Sequence, residues 1–351
     1  MKPLFLIIFC HFWTVTTTSF AGHNSKRAVT ELTKSAKSFL FKNFKAWKHL
    51  SDEAREFEKK PSAHTAKSPQ HQNVFIIAHA DDWQLFMGHH MHEMINNHDE
   101  NIFIYLTAGD AGKDQEYWAT REGAAISSIN HLIAAELNVP AQENSKAEWV
   151  SVTDNNTVMK VTQYEHQHHY FMRLPDGFHW GQGSQLYENA SIFKLWSNSL
   201  KDIATVDNYS TYNKTNLVAA LHDIIVRHHQ GSSCSLTIHT LDAGTDLEVS
   251  HSDHYVASLV AHDVAQSFPQ AEGAIYVDYR IAQMPPNLSC EQLNKKISLF
   301  KSYDDHMNRE ANENLLGRKK YQKWLQRTYK RERSTKNLLD YVGKPIKTKE
   351  I

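Results

Sequence analysis

A chain of 351 residues that is 41% hydrophobic and 22% charged holds enough apolar material for a large core, which excludes an intrinsically disordered polymer. Its 38 Lys and Arg nearly balance 39 Asp and Glu, a formal charge of −1, so no global field draws it to nucleic acid and no nucleic-acid partner is expected. Basic residues gather between Arg318 and Lys349, leaving the remainder net acidic.

From the amino end, Met1-Lys2, the apolar run Leu4 to Trp13 and the small residues of Ser19-Phe20-Ala21 predict a signal peptide, residues 1–21, cleaved after Ala21. The expected location is secreted or periplasmic. The apolar run is short for a bilayer, so no transmembrane span is expected after cleavage. Cys10 would leave with the leader, while Cys234 and Cys290 remain, either bonded to each other or as two thiols. Residues 22–72 predict a polar helical extension and a Ser, Lys and His-rich connector.

The organised region starts with Asn73-Val74-Phe75-Ile76-Ile77-Ala78, a short run of β-branched and aromatic residues typical of a buried strand. A second strand is predicted over 102–106, followed by the polar loop Thr107 to Gly112, and a helix from about Tyr117 to Leu137, stopped before Pro140. Alternation between Trp149 and Tyr170 predicts strands leading into the turn residues Pro175-Asp176-Gly177. A helix over 215–229, a strand over 235–240, a helix over 255–267 and a last strand over 274–279 follow, and everything beyond Cys290 reads as helices. The basic tail, 311–351, reads as a solvated helix, with docking on an anionic surface as the other reading. Strand and helix alternate, so a mainly parallel sheet with helices on both faces is expected.

Chemistry gathers at two of the predicted strand ends, where open α/β sheets collect ligands. His79 and Asp82 follow the first strand and are spaced to reach one cation, while Asp81 between them is free to face a bound water. His251 and His254 lie at a helix start with i, i+3 spacing, which puts both side chains on one face. Either pair alone is an ordinary polar turn or capped helix in a chain with 23 histidines. Together, a His-Asp-His set with an open position is the ligand set of a catalytic zinc site. Asp253 is a candidate to orient a neighbouring imidazole from outside the ligand set.

Ala78-His79-Ala80-Asp81-Asp82-Trp83 and His251-Ser252-Asp253-His254 resemble the two signatures of the PIG-L/LmbE-like zinc-dependent N-deacetylases, Ala-His-Pro-Asp-Asp-Glu and His-x-Asp-His. The resemblance extends to Leu106–Gly112 and to Arg121-Glu122, and covers roughly residues 73 to 310 by motif. It implies a Rossmann-like α/β domain over 73–310 with helical N- and C-terminal extensions. His79, Asp82 and His254 resemble the metal ligands, Asp81 the general base, His251 the group that steadies the tetrahedral intermediate, and Arg121 a substrate-binding residue. The implied cofactor is Zn2+, with Fe2+ able to occupy the same ligands. The implied substrate is an amino sugar or glycan bearing an N-acetyl group. Two departures stand out. Ala80 replaces the Pro of the signature, and Trp83 replaces its closing acid, but no ligand is lost.

Trp83 keeps open a non-catalytic carbohydrate-binding protein on the same fold, and Arg121, as a bidentate clamp for a carboxylate, keeps open a non-sugar N-acyl amide as substrate. Asp110 reads either as a sugar-hydroxyl acceptor at the cleft or as a loop cap. Trp118, Trp180 and Trp196 read as sugar platforms or as core. His89, His90 and His92 are expected on an exposed helix face, His166, His168 and His169 at the surface, and His239 in the core. No Gly-x-Ser-x-Gly elbow, Walker loop or dinucleotide fingerprint is present.

Overall fold

The first apolar run is strand β1, His71–Ile77, and the second is β2, Glu100–Thr107; every residue of the two except His71 is buried. Both lie in the middle of a sheet covered on each face, which is why they read as continuous rather than alternating apolar runs. Period two still sorts their side chains. Val74, Ile76, Ile102 and Ile104 enter one core, and Phe75, Ile77, Phe103 and Tyr105 the other.

This is the computed structural model of the chain, and it describes residues 69–140, 145–153, 156–164, 166–229, 234–242 and 249–334. The expected leader, the N-terminal extension as far as residue 68 and the tail from residue 335 lie outside the described residues.

Eight strands form the main sheet in the order β10-β9-β8-β1-β2-β5-β4-β3. Here β3 is Lys146–Thr153, β4 Asn156–Gln163, β5 Gln167–Leu174, β8 Ser235–Leu241, β9 Glu272–Tyr276 and β10 Lys330–Ser334. The five strands β9, β8, β1, β2 and β5 run parallel, and β3, β4 and β10 add antiparallel edges. A short ribbon, β6 (Ile203–Ala204) with β7 (Thr211–Tyr212), stands apart.

One face carries α1 (Asp82–Phe86), α2 (Gly88–Asn96), α3 (Gln115–Leu137), α7 (Cys290–Ala311) and α8 (Lys319–Leu325). The other carries α4 (Ile192–Trp196), α5 (Lys214–His229) and α6 (Ser252–Ala265). After β1 the chain first builds β2 on one side and only later returns to place β8 on the other. The strand order therefore reverses at β1, and the crevice outside its carboxyl end is where this kind of sheet binds ligands.

Two expectations for the C-terminal part need correction. Residues beyond Cys290 are not all helical: β10 pairs with β9, from Lys330 opposite Tyr276 to Ser334 opposite Glu272. The segment Lys-Arg-Glu-Arg-Ser carries no strand signature of its own; it is recruited because β9 would otherwise present an unpaired edge. Nor is the described helix of the basic tail, Lys319–Leu325, a solvated one, since Tyr321, Trp324 and Leu325 are buried; the tail from residue 335 lies outside the described residues. Beneath α8 the ammonium of the wholly buried Lys296 donates to Trp324 O (3.2 Å), Arg327 O (2.5 Å) and Thr328 Oγ1 (3.1 Å). These bonds tie α7 to the last turn of α8 and to the segment just beyond it.

The histidines also depart from expectation. His168 and His169 are buried, and His92 is buried against Glu136, with His89 and His90 half-buried. A surface reading of alternating polar residues fails where hydrogen-bonded imidazoles line a strand end. His239 is a core residue, held by Asn73 Oδ1 at 3.0 Å and Tyr276 OH at 3.3 Å. Cys234 and Cys290 are not joined to each other. Among the described residues, no helix is long and apolar enough to cross a membrane.

Candidate functional site

The loop leaving β1 is folded by its own acid. His79 N–H donates to Asp82 Oδ2 at 2.7 Å, which closes the turn and frees Oδ1. That oxygen stands 3.1 Å from His254 Nε2 and 3.6 Å from His79 Nδ1, and the two nitrogens are 3.2 Å apart. All three side chains are buried. A tetrahedral centre with arms of about 2.05 Å has edges of about 3.3 Å, so this triangle has the dimensions of three ligands to one ion.

Electrostatics point the same way. Burial opposes charge on His79, but the Asp82 and Asp253 carboxylates outweigh it and hold the imidazole well above its ordinary pKa. Burial likewise opposes charge on His254, yet Asp82 and Asp278 push it up to about 9. Burial would raise Asp82, but the two imidazoles hold it well below the usual carboxylate range. The pocket is thus built to attract positive charge, and a divalent cation fits its donor set.

Each imidazole of the triangle is backed by a carboxylate. Asp253 Oδ2 lies 3.4 Å from His79 Nε2 and is fixed by Gly177 N–H at 2.9 Å; a Cβ at Gly177 would collide with this carboxylate. Asp278 Oδ2 lies 3.5 Å from His254 Nδ1, and the same carboxylate accepts from Ser250 Oγ and from Arg280 Nε (2.9 Å). Such partners fix the ring orientation of metal ligands, and their loss typically costs 10–100-fold in metal affinity. Asp278→Asn is therefore expected to weaken zinc binding by about 10–100-fold in a chelator-competition titration. Unchanged affinity would mean that His254 is oriented by other contacts.

His251 is the N-cap of α6, its Nδ1 accepting from Asp253 N–H at 3.2 Å. Burial, then the neighbouring imidazoles of His79 and His254, hold its pKa well below the ordinary value. The neutral ring with Nδ1 as acceptor carries its proton on Nε2, which points toward Asp176 Oδ1 at 3.7 Å. It can therefore donate a hydrogen bond without being protonated. Asp176, His251 and Asp253 also cluster with the far side of His79, but Asp253 is already committed to Gly177.

Asp81 is buried at the head of α1, where Arg121 Nη2 donates to its Oδ1. Arg121 also donates to Gly109 O (2.7 Å) and Tyr303 OH (3.1 Å), so every nitrogen of the guanidinium has a protein partner. Gly109, at φ +58°, is required here, because a Cβ would run into that guanidinium. Asp110, fully buried, accepts from Asp176 N–H (2.7 Å) and Gly112 N–H (2.9 Å) and so braces the loop that carries Asp176. Burial, then the Asp176 charge, raises its pKa to about 6.

The structure thus brings His79, Asp82, His251 and His254 together, places Asp81 beside Arg121, and sets Asp110 one layer back. Sequence reasoning missed Asp278, Asp176 and Tyr303. Asp278 did carry a signal, an acid at the end of a predicted strand, and Asp176 was visible only as turn chemistry. Trp83, the unusual residue of the first motif, is wholly buried and donates to Tyr105 OH at 3.1 Å, away from the ligand atoms. Of the three tryptophans named above, Trp118 is buried and Trp196 packs on a core. Trp180 is 48% exposed and stands edge-on to His179, whose ring is 6.4 Å from that of His251.

A family profile described as "PIG-L: GlcNAc-PI de-N-acetylase" matches residues 74–265. Among solved structures, a triple mutant of a deacetylase of the teicoplanin biosynthetic pathway is 12% identical, with a TM-score of 0.39 over 73% of this chain and 88% of its own. The deacetylase of the A40926 pseudoaglycone is also 12% identical, with a TM-score of 0.38 over 72% and 87%. The zinc-inhibited form of the teicoplanin deacetylase gives 12% and 0.36 over 68% and 85%. None of the curated proteins matches this chain.

Proposed function

The chain belongs to the PIG-L family of N-deacetylases, and from that premise we propose that it removes the N-acetyl group of an amino sugar, using a divalent cation held by His79, Asp82 and His254. The observation that carries the reading is the buried His-Asp-His triangle, with a carboxylate behind each imidazole.

A cation bound there supplies Lewis acidity and brings the pKa of a water near neutrality. Asp81, anchored at Oδ1 by Arg121, offers Oδ2 as the base that takes the proton of the attacking water. The same carboxyl then returns that proton to the departing nitrogen, so that amide and water become acetate and a free amine. His251 Nε2–H donates to the oxygen that gains charge during attack, a preorganised contact worth about 3 kcal/mol. Arg121 acts through Asp81 as a positioning residue. Trp180 supplies an aromatic face at the rim on which a sugar ring can stack.

Zinc is the favoured ion, since two imidazoles and a carboxylate suit it, and iron(II) suits the same donors. Export behind a leader cleaved after Ala21 belongs to the same proposal.

The non-catalytic binding alternative drew on Trp83, but that side chain lies in the core and removes nothing from the ligand set. The non-sugar alternative drew on an Arg121 ready to clamp a carboxylate; here three of its five N–H groups are engaged by Tyr303, Gly109 and Asp81, and one hydrogen on each terminal nitrogen is left for such a substrate. Exhaustive chelation of the purified chain is expected to abolish acetate release from N-acetylglucosamine-containing compounds, and one equivalent of zinc to restore it. Release that survives chelation would overturn the proposal. Parallel reconstitution with zinc and iron(II) identifies the better ion.

A further inference from the structure

At the other end of the sheet a second cluster of donors lies outside the deacetylase machinery. Glu100 opens β2, His168 is the second residue of β5, and His228 is in the last turn of α5. This is the amino end of the strands, some 20–25 Å from the catalytic end at about 3.3 Å per residue. Glu100 Oε1 receives both imidazoles, His228 Nδ1 at 2.7 Å and His168 Nε2 at 3.3 Å. The ligand atoms of the three residues all fall within 4.8 Å of one another.

We propose that Glu100, His168 and His228 form a second divalent-cation site, of the zinc class, that ties α5 to β2 and β5.

Four features support it. Two imidazoles and one carboxylate are a recurring zinc ligand set. The outer nitrogen of each ring already has a hydroxyl partner, Thr162 Oγ1 at 3.2 Å from His168 Nδ1 and Tyr170 OH at 2.8 Å from His228 Nε2. An ion therefore requires only that each ring shift its proton to the outer nitrogen, with no net proton released. Gln72 Nε2 donates to Glu100 Oε2 at 2.5 Å and to His228 O at 2.7 Å, which holds the carboxylate and the helix end in register. Among the described residues, no Lys or Arg lies within ion-pair distance of this carboxylate, and a cation at the carboxyl end of α5 is favoured by the helix dipole.

The test counts zinc on chelator-stripped, fully reloaded protein, and it does not use activity. Wild type is expected to hold two equivalents. His79→Ala with His254→Ala should hold one, and adding Glu100→Gln with His228→Gln should leave none. Both Gln substitutions keep hydrogen-bonding groups in place, so the network need not collapse. Should that variant fail to fold, anomalous diffraction at the zinc edge from wild-type crystals decides, with a peak between Glu100, His168 and His228 expected. A single equivalent on wild type that vanishes with His79 and His254, or no anomalous peak at the second cluster, overturns the proposal. So does a second equivalent that survives Glu100→Gln with His228→Gln.

Discussion

Asp81→Asn is expected to cut the rate of acetate release by about 10²–10⁴-fold, the range over which a positioned general base contributes. The amide matches the carboxylate in shape and still accepts from Arg121, so the buried guanidinium keeps a partner, but it cannot take a proton. Metal content and melting temperature should therefore stay close to wild type while turnover collapses. Steady-state acetate release together with metal analysis of the same preparation checks this. A variant that keeps more than about a tenth of wild-type turnover would remove Asp81 from the proton path.

The largest expected loss of stability lies at Arg173. Its guanidinium forks onto Glu122 (2.8 and 2.7 Å), reaches Asp207 at 2.9 Å, and lies over the ring of Trp118 at 4.7 Å. The three charged side chains are nearly inaccessible to water, at 11%, 12% and 8% exposure. Burial raises the pKa of Glu122 even with Arg173 beside it, a sign of how poorly this pocket tolerates an unpaired acid. Arg173→Met leaves two buried carboxylates without their cation, which costs about 3–5 kcal/mol. For a chain of this size that is a fall in melting temperature of roughly 4–7 °C. Arg173→Lys should recover little, because an ammonium cannot reproduce the fork. A thermal melt of Arg173→Met within about 3 °C of wild type would refute the argument.

What the sequence revealed follows from which interactions are local. The strands β1, β2 and β8 are buried on both faces, so their composition alone announces them. The proposed ligands His79, Asp82 and His254 sit within a few residues of a strand end or helix start, where short motifs are readable. Asp278 was not readable as the partner of His254, because only tertiary structure brings the end of β9 behind the start of α6. For β10 the reason is different, since its strand character comes entirely from the open edge of β9. Trp83 could be recognised as a departure, but not as a core residue bonded to Tyr105, because the pocket that receives it is made by β2 and β5.

The family profile ends at residue 265, yet Tyr279 lies 4.7 Å from the ring of His254 and stacks at 4.4 Å on Trp324 of α8, which Lys296 holds from below. One imidazole of the His79–Asp82–His254 triangle thus leans on a wall built by the last described third of the chain. Whatever free energy a bound ion gains by fixing His254 is shared with the docking of that wall, and linkage makes the dependence reciprocal. A chain trimmed to the matched segment would keep every ligand and lose the surface that aims one of them.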